Sequence, residues 1–437
     1  MIRSQLESHL STIKSIKPMM KALVKLLIVF VFFKLLTFAS PLLVNEIIDS
    51  VKEYGKFEYA MNLAQTFTGV FAMGFPSAYA YFVITLKKKN IKPIFHIHFA
   101  ALSSILFLVG MLIPSLLSNI YFGSFIIGVA LANQLFLSSV LKLNNKNKVA
   151  VTIDSTVFIV LTLLITFDYF NIITFTLDLF FKTTLFLLFL TIFYHLQYIK
   201  GLKGISASVI KEVYTYGILI VICSPLLVLI TASSRLYIEY FLDFQDVSLY
   251  SIYIRITSVI FILSRVFGIM LYRKMFAETH KTLDNYYSII LLLYLIVSTL
   301  IFIFLPDVLF GRYEVFTNYY IQNSSLFLIC LFQVNFWINS SLLEPIIQRE
   351  NKILEFILLL VLVLTLMTSF LFFTDQQGRL SLNTLVTINT LAIFFLFCGQ
   401  ILIMKKHGVF YKKTFFMHLF TGLLFFLTLV YENSSYQ

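Results

Sequence analysis

The sequence predicts an all-α polytopic membrane protein, two six-helix lobes around a central cavity, and three observations predict it. The chain has 437 residues, 59% of them hydrophobic, and a mean hydropathy of +0.91, values of a multi-span membrane protein rather than a soluble domain. Apolar runs of about 20 residues, the length that crosses a bilayer, recur from end to end. The runs are continuous rather than alternating. Only helices and closed barrels satisfy the backbone in lipid, so continuous runs read as helices.

Residues 1–21 are polar and basic, a cytoplasmic segment with Leu6, Leu10, Ile13 and Ile16 on one side of a short surface helix. The N-terminal lobe is expected over 22–199. Its first span, about 23–44, holds Lys34 near mid-depth, with Thr37, Pro41 and Asn45 on the same face at helical spacing. A loop with Glu46, Asp49, Glu53, Tyr54, Gly55 and Phe57 follows. The second span, about 59–86, sets Asn62, Gln65, Thr66 and Gly69 on one face. Lys87 to Lys92 mark a cytoplasmic loop. The third span (about 94–113) opens with His96 and His98. The fourth (about 120–141) carries Asn133 and Gln134, and the fifth (about 149–167) carries Asp154. In the sixth (about 173–199), Asp178 and Lys182 stand four apart, the spacing of an intrahelical pair.

A basic cytoplasmic linker at 200–211 separates the lobes, and the second lobe is expected over 212–404. Its seventh span ends at Thr231-Ala-Ser-Ser-Arg235, ahead of an acidic outer loop with Glu239, Asp243 and Asp246. The eighth carries Arg255 and Arg265. Ten residues of helix place these about 80° apart around the axis and about 15 Å apart along it. The ninth span (about 287–305) leads to Phe310-Gly-Arg-Tyr313. The tenth (about 321–343) is polar, with Gln333, Asn335, Asn339 and Glu344. The eleventh (about 353–373) is bare apolar surface and the twelfth is about 382–404. A C-terminal segment, 405–437, contains a thirteenth candidate at about 414–431. Basic loops alternate with acidic or neutral ones, which puts the N-terminus inside. No cleavable leader is expected, because the first apolar run lacks a small-residue cleavage site.

The net charge of +12 invites a nucleic-acid reading, but the lysines sit in short loops between spans, where membrane insertion wants them. Cys223, Cys330 and Cys398 are isolated in apolar spans, with neither metal spacing nor a disulfide framework. No nucleotide-binding or other cofactor motif appears, and no loop is long enough for a soluble catalytic domain.

Charges inside a bilayer cost about 2.5–3.5 kcal/mol even on lenient scales, so they face a cavity or a partner. Lys34, Arg255, Arg265 and Arg235 are therefore the candidate substrate path, with Asn62 and Gln65 as hydrogen-bonding groups beside it. Asn45, Glu46, Glu239 and Asp154 are the candidate gate or ion-pair residues. Arg235 and Glu239, four apart, also fit a plain surface pair. The buried amides fit equally well as helix-to-helix glue. His96, His98, His195 and His418 lie near the predicted interfaces and outline no proton relay.

A shift of about 192 residues lays the first pair of spans on the seventh and eighth. What repeats is an order of features: a polar helix end, an acidic loop, then a helix opening with aromatics. An even number of intervening spans gives two parallel six-helix lobes. The Ser234-Arg235 and Val247-Ser-Leu-Tyr250 segments, Tyr54-Gly55, Gly74-Phe-Pro-Ser-Ala78 and Phe310-Gly-Arg-Tyr313, in that relative spacing, resemble the multidrug/oligosaccharidyl-lipid/polysaccharide exporter superfamily. Within it they are most similar to O-antigen (Wzx-like) polysaccharide flippases. Ser234, Ser248 and Tyr81 depart from the family's aspartate, glycine and arginine. The likeness covers roughly the first eighty residues and about 215–350.

The resemblance implies a bacterial inner-membrane flippase for undecaprenyl-pyrophosphate-linked oligosaccharides, serving O-antigen (lipopolysaccharide) or capsule biosynthesis by alternating access through a cationic cavity. It implies membrane lipids, a polysaccharide polymerase and a chain-length regulator as partners, no cofactor, and no catalysis. The alternatives are a drug/cation antiporter of the same superfamily and a membrane polysaccharide polymerase or glycosyltransferase.

Overall fold

The structure is a computed structural model. It describes residues 28–435 except 34, 38, 49, 81, 84–87, 89–90, 145, 199–200, 202–205, 262–263, 265–266, 268–277, 310–323 and 351. Every regular element among the described residues is helical. In order they are α1 (Ile28–Ile47), α2 (Val51–Phe71), α3 (Phe75–Ala80), α4 (Lys92–Leu112), α5 (Ile120–Leu143), α6 (Asn147–Ile153), α7 (Thr156–Tyr169) and α8 (Leu177–Leu196). Then follow α9 (Ala207–Thr231), α10 (Ser234–Phe241), α11 (Phe244–Thr257), α12 (His280–Leu309), α13 (Ser324–Arg349), α14 (Ile353–Gln376), α15 (Leu382–Lys406) and α16 (Lys412–Ser435).

Ten of these are long and apolar enough to cross a membrane: α1, α4, α5, α8, α9, α12, α13, α14, α15 and α16. The thirteenth candidate of the sequence is thus a helix of spanning length. Exposed side chains on the long helices are apolar along whole faces, as Leu358, Leu362 and Leu366 are on α14, which is the surface lipid requires. Helix starts are set by side chains that accept the free N–H groups: Asn119 for α5, Thr176 for α8, Asp243 for α11 and Ser381 for α15.

The second, fifth and eighth expected spans are the ones missing from those ten. The second begins earlier than the hydropathy suggests and is interrupted. Lys52, Glu53, Lys56 and Glu58 lie inside α2 rather than in a loop, and the chain breaks at Ala72–Gly74 before α3. At the break Met73 and Gly74 take left-handed backbone (φ 49° and 61°). Gly217 of α9 packs there so closely that a Cβ would lie 2.5 Å from the Met73 carbonyl oxygen. The fifth breaks at Asp154 and Ser155, between α6 and α7. Of the eighth, α11 is described and Arg265 lies outside the described residues.

The seventh span also differs. Thr231-Ala-Ser-Ser does not end it; the chain kinks at Ala232 and Ser233 and resumes as α10, so Glu239 is on a helix and not in an outer loop. Helices α2, α4, α5 and α8 pack on one another, and α13 packs with α11, α12, α15 and α16. The seam between the two sets is α2 against α9, α10 and α11.

Candidate functional site

Helix α2 approaches α11 closely because Gly55 has no side chain: a Cβ there would sit 1.9 Å from the Phe244 carbonyl oxygen. One turn on, Tyr59 meets the Phe244 ring edge-on at 5.7 Å. Between these two contacts α2 turns Glu58 into the seam, where its side chain is fully buried.

Two arginines from the C-terminal half converge on that carboxylate. Arg255, on α11, donates through Nε to Glu58 Oε1 and through Nη2 to Oε2, the latter at 2.8 Å. This is the two-point fork that guanidinium makes with a carboxylate. Arg235, in the first turn of α10, places Nε 3.2 Å from Glu58 Oε2 and donates to Ser251 Oγ at 2.7 Å. The Tyr54 hydroxyl donates to Glu58 Oε1 at 3.0 Å. Two guanidinium groups share one carboxylate, so the cluster carries one positive charge in excess. All three charged side chains are at least nine-tenths buried. Burying such a group is tolerable only because it is paired and hydrogen-bonded.

The break between α9 and α10 lies beside this cluster and is held from both halves. Asn62 of α2 donates to the Ala232 carbonyl, and Thr66 lies 3.2 Å from Ser233 Oγ. From the C-terminal half, Asn389 of α15 donates to the Ile230 carbonyl at 2.8 Å, and Gln333 of α13 donates to Ser234 Oγ at 3.0 Å. Gln333 also accepts from the Tyr250 hydroxyl at 2.8 Å, and Tyr250 presents its ring to Arg235 at 5.7 Å. The kink's loose carbonyls thus have partners, as buried helix ends require.

The structure therefore brings together three of the sequence candidates, Arg235, Arg255 and Asn62. Gln65 is half-buried on the same helix as Asn62. Lys34 and Arg265 lie outside the described residues, as does the Phe310-Gly-Arg-Tyr313 motif. The expected Arg235–Glu239 pair gives way to Arg235–Glu58: the guanidinium turns inward to a buried carboxylate, and Glu239 stays half-buried one turn along α10. Asn45 and Glu46 sit at the end of α1, half-buried and exposed, and Asp154 sits half-buried at the α6–α7 break; none is in the cluster. The residue sequence reading missed is Glu58. Its signal was its spacing, since 58, 62, 66 and 69 form one helical stripe facing the seam. Asp178 and Lys182 do pair, at 2.6 Å. Asn133, Asn335 and Asn339 bond neighbouring helices, at Ser103, Ser298 and His418.

No family model matches the sequence, and no curated protein matches it. Among solved structures, the fold is similar to that of a multidrug resistance MATE family transporter of the MOP superfamily in its outward-facing conformation. The two share 15% sequence identity over 88% of this chain and 96% of that one, with a TM-score of 0.50. The likeness is one of fold.

Proposed function

We propose that this multi-pass membrane protein is a transporter, not an enzyme. In this reading it flips undecaprenyl-pyrophosphate-linked oligosaccharide units across the bacterial inner membrane, for O-antigen or capsule biosynthesis. The observation that carries the reading is the sign of the buried seam: Arg255 and Arg235 meet on the single carboxylate of Glu58. Guanidinium forks pair phosphate oxygens as they pair carboxylates. With the halves closed at this end, Glu58 satisfies the arginines. With the halves parted, the same arginines face the path, and a pyrophosphate supplies the oxygens that Glu58 gives up. Asn62 and Gln65 offer hydrogen bonds to sugar hydroxyls. The polyprenyl tail stays in lipid, so only the polar head needs a path. The basic-loop end is the cytoplasmic side, and the polymerase and chain-length regulator act on the product at the other.

A drug/cation antiporter is the competing reading, and the solved structure of similar fold is that of a multidrug resistance transporter. A cation needs an acid not already neutralised, and two arginines neutralise Glu58, which favours the anion. The test is reconstitution. Purified protein in vesicles should move a pyrophosphate-linked polyprenyl glycan to the outer leaflet, where an added glycosidase cleaves it, and Arg255→Gln should abolish the movement. Uptake of a lipophilic cation with no glycan movement would overturn the proposal.

A further inference from the structure

A second buried polar chain lies away from the seam, where the start of α4 meets the end of α8. Asn133 of α5 donates its amide N–H groups to Ser103 Oγ and the Val129 carbonyl, both at 3.2 Å. Its oxygen therefore faces His195, 2.7 Å from Nε2. An oxygen with no hydrogen can only accept, so His195 carries its proton on Nε2, and its Nδ1 is a lone pair in the neutral ring. His96 Nδ1 lies 2.8 Å from that lone pair and must be the donor. The chain of bonds thus fixes both tautomers and leaves His96 Nε2 as a bare lone pair. That nitrogen is buried and has no hydrogen-bond partner among the described residues.

Among the described residues no acid bonds to it. Its own helix presents Lys92, whose Nζ lies 4.1 Å from the centre of the Tyr198 ring. From α8 and the turn after it come His195, Tyr194 and Tyr198, the last stacked on His96 at 3.9 Å. Helix α5 presents Asn133 and Phe136, and α3 presents Tyr79 beside Phe136. Lys146 acts on Tyr198 from the loop before α6. Among the described residues, the charged side chain beside this stack is a cation, Lys92.

We propose that the His96–His195 pair is a proton-binding site, loaded at His96 Nε2 when the α4–α8 seam admits water. The step is simple proton binding. The lone pair takes a proton from water, His96 becomes imidazolium, and its Nδ1–H bond to His195 is kept. An imidazolium buried here, with no acid bonded to it among the described residues, is costly, so the closed seam disfavours the proton. Below about pH 6.5, the ordinary imidazole value, the open seam therefore holds one more proton than the closed one, and above it the difference fades. The closed seam is favoured as pH rises and loses stability as pH falls, by up to about tenfold in the opening equilibrium per pH unit.

Two measurements on the full-length protein in nanodiscs test this. The first is nitrogen NMR of 15N-histidine-labelled protein at pH 7.5, with His96 assigned by the signal missing in His96→Gln. His96 should show an unprotonated Nε2 and a protonated Nδ1, and His195 the reverse. The second is hydrogen exchange of the peptides covering 92–98 and 191–198 between pH 7.5 and 5, corrected for the intrinsic pH dependence of exchange. Opening should rise with acidity by up to about tenfold per unit in the wild type and stay flat in His96→Gln. A protonated Nε2 at pH 7.5, pH-independent opening in the wild type, or an unchanged pH response in folded His96→Gln would each overturn the proposal. The pH dependence of opening in the wild type decides the matter even where the variant does not fold.

Discussion

Replacing Glu58 with glutamine keeps the side chain's shape and removes its charge. In the closed seam this strands Arg255 and Arg235, both about nine-tenths buried, without an anion. Hydrogen bonds between membrane helices average only about 0.6 kcal/mol, so the count of bonds lost does not set the effect. The stranded charge does: removing one partner of a buried ion pair costs about 3–5 kcal/mol. The lower figure alone shifts an equilibrium about 150-fold. The shift favours any arrangement that lets water reach the guanidinium groups. Ser248 reports it, being buried on the α11 face that meets α2, one turn from Phe244. In a background with Cys223, Cys330 and Cys398 changed to alanine, Ser248→Cys should react slowly with a polar maleimide. Adding Glu58→Gln should speed the reaction about a hundredfold or more, and adding Arg255→Gln as well should take back much of that gain. Labelling of the folded Glu58→Gln protein within about threefold of its parent would refute the claim that this carboxylate holds the seam shut.

Gly55→Ala should destabilise by about 1–3 kcal/mol, because its methyl group meets the backbone of Phe244 and the helices must part; a lowered melting temperature checks it. Asn62→Ala should cost about 0.6–1.7 kcal/mol, since the Ala232 carbonyl loses its donor at the α9–α10 kink, and should raise exchange at residues 232–236. Asp284 of α12 accepts from the Lys413 and Thr414 N–H groups and the Thr414 hydroxyl, so it caps α16 from a neighbouring helix. Asp284→Asn should weaken that first turn by about 0.5–2 kcal/mol, read as faster exchange there. Lys88→Glu should change overall stability by less than about 1 kcal/mol, because its 2.6 Å pair with Glu212 is exposed; a melting curve close to the wild type's checks it.

The long apolar helices were legible because hydropathy depends on composition over about 20 residues, and α14 and α15 lie almost where the sequence puts them. Arg255 was legible because a buried arginine is conspicuous. Its partner was not. Glu58 stands one residue ahead of the expected start of the second span, among charges that look like a loop, and only the packing of Gly55 against Phe244 pulls that turn into the core. Helical spacing offers Arg235 a surface pair with Glu239, but the longer-range contact wins, because Glu58 is fully buried and Glu239 is only half-buried. The His96–His195 bond links residues 99 apart, which no local pattern reveals. The kink at Ala232 looked like a helix end, since small polar residues mark both; side chains from α2, α13 and α15 decide between them.

The most direct test of the flippase reading is to delete the gene and measure, in the same cells, the amount and leaflet of the lipid-linked oligosaccharide together with surface glycan. Single units should be trapped on the inner leaflet and surface polysaccharide lost, with both restored by the wild-type gene and not by Arg255→Gln. Normal surface glycan with altered drug sensitivity would contradict it and favour a cation antiporter, and single units gathering on the outer leaflet would contradict it in favour of a polymerase.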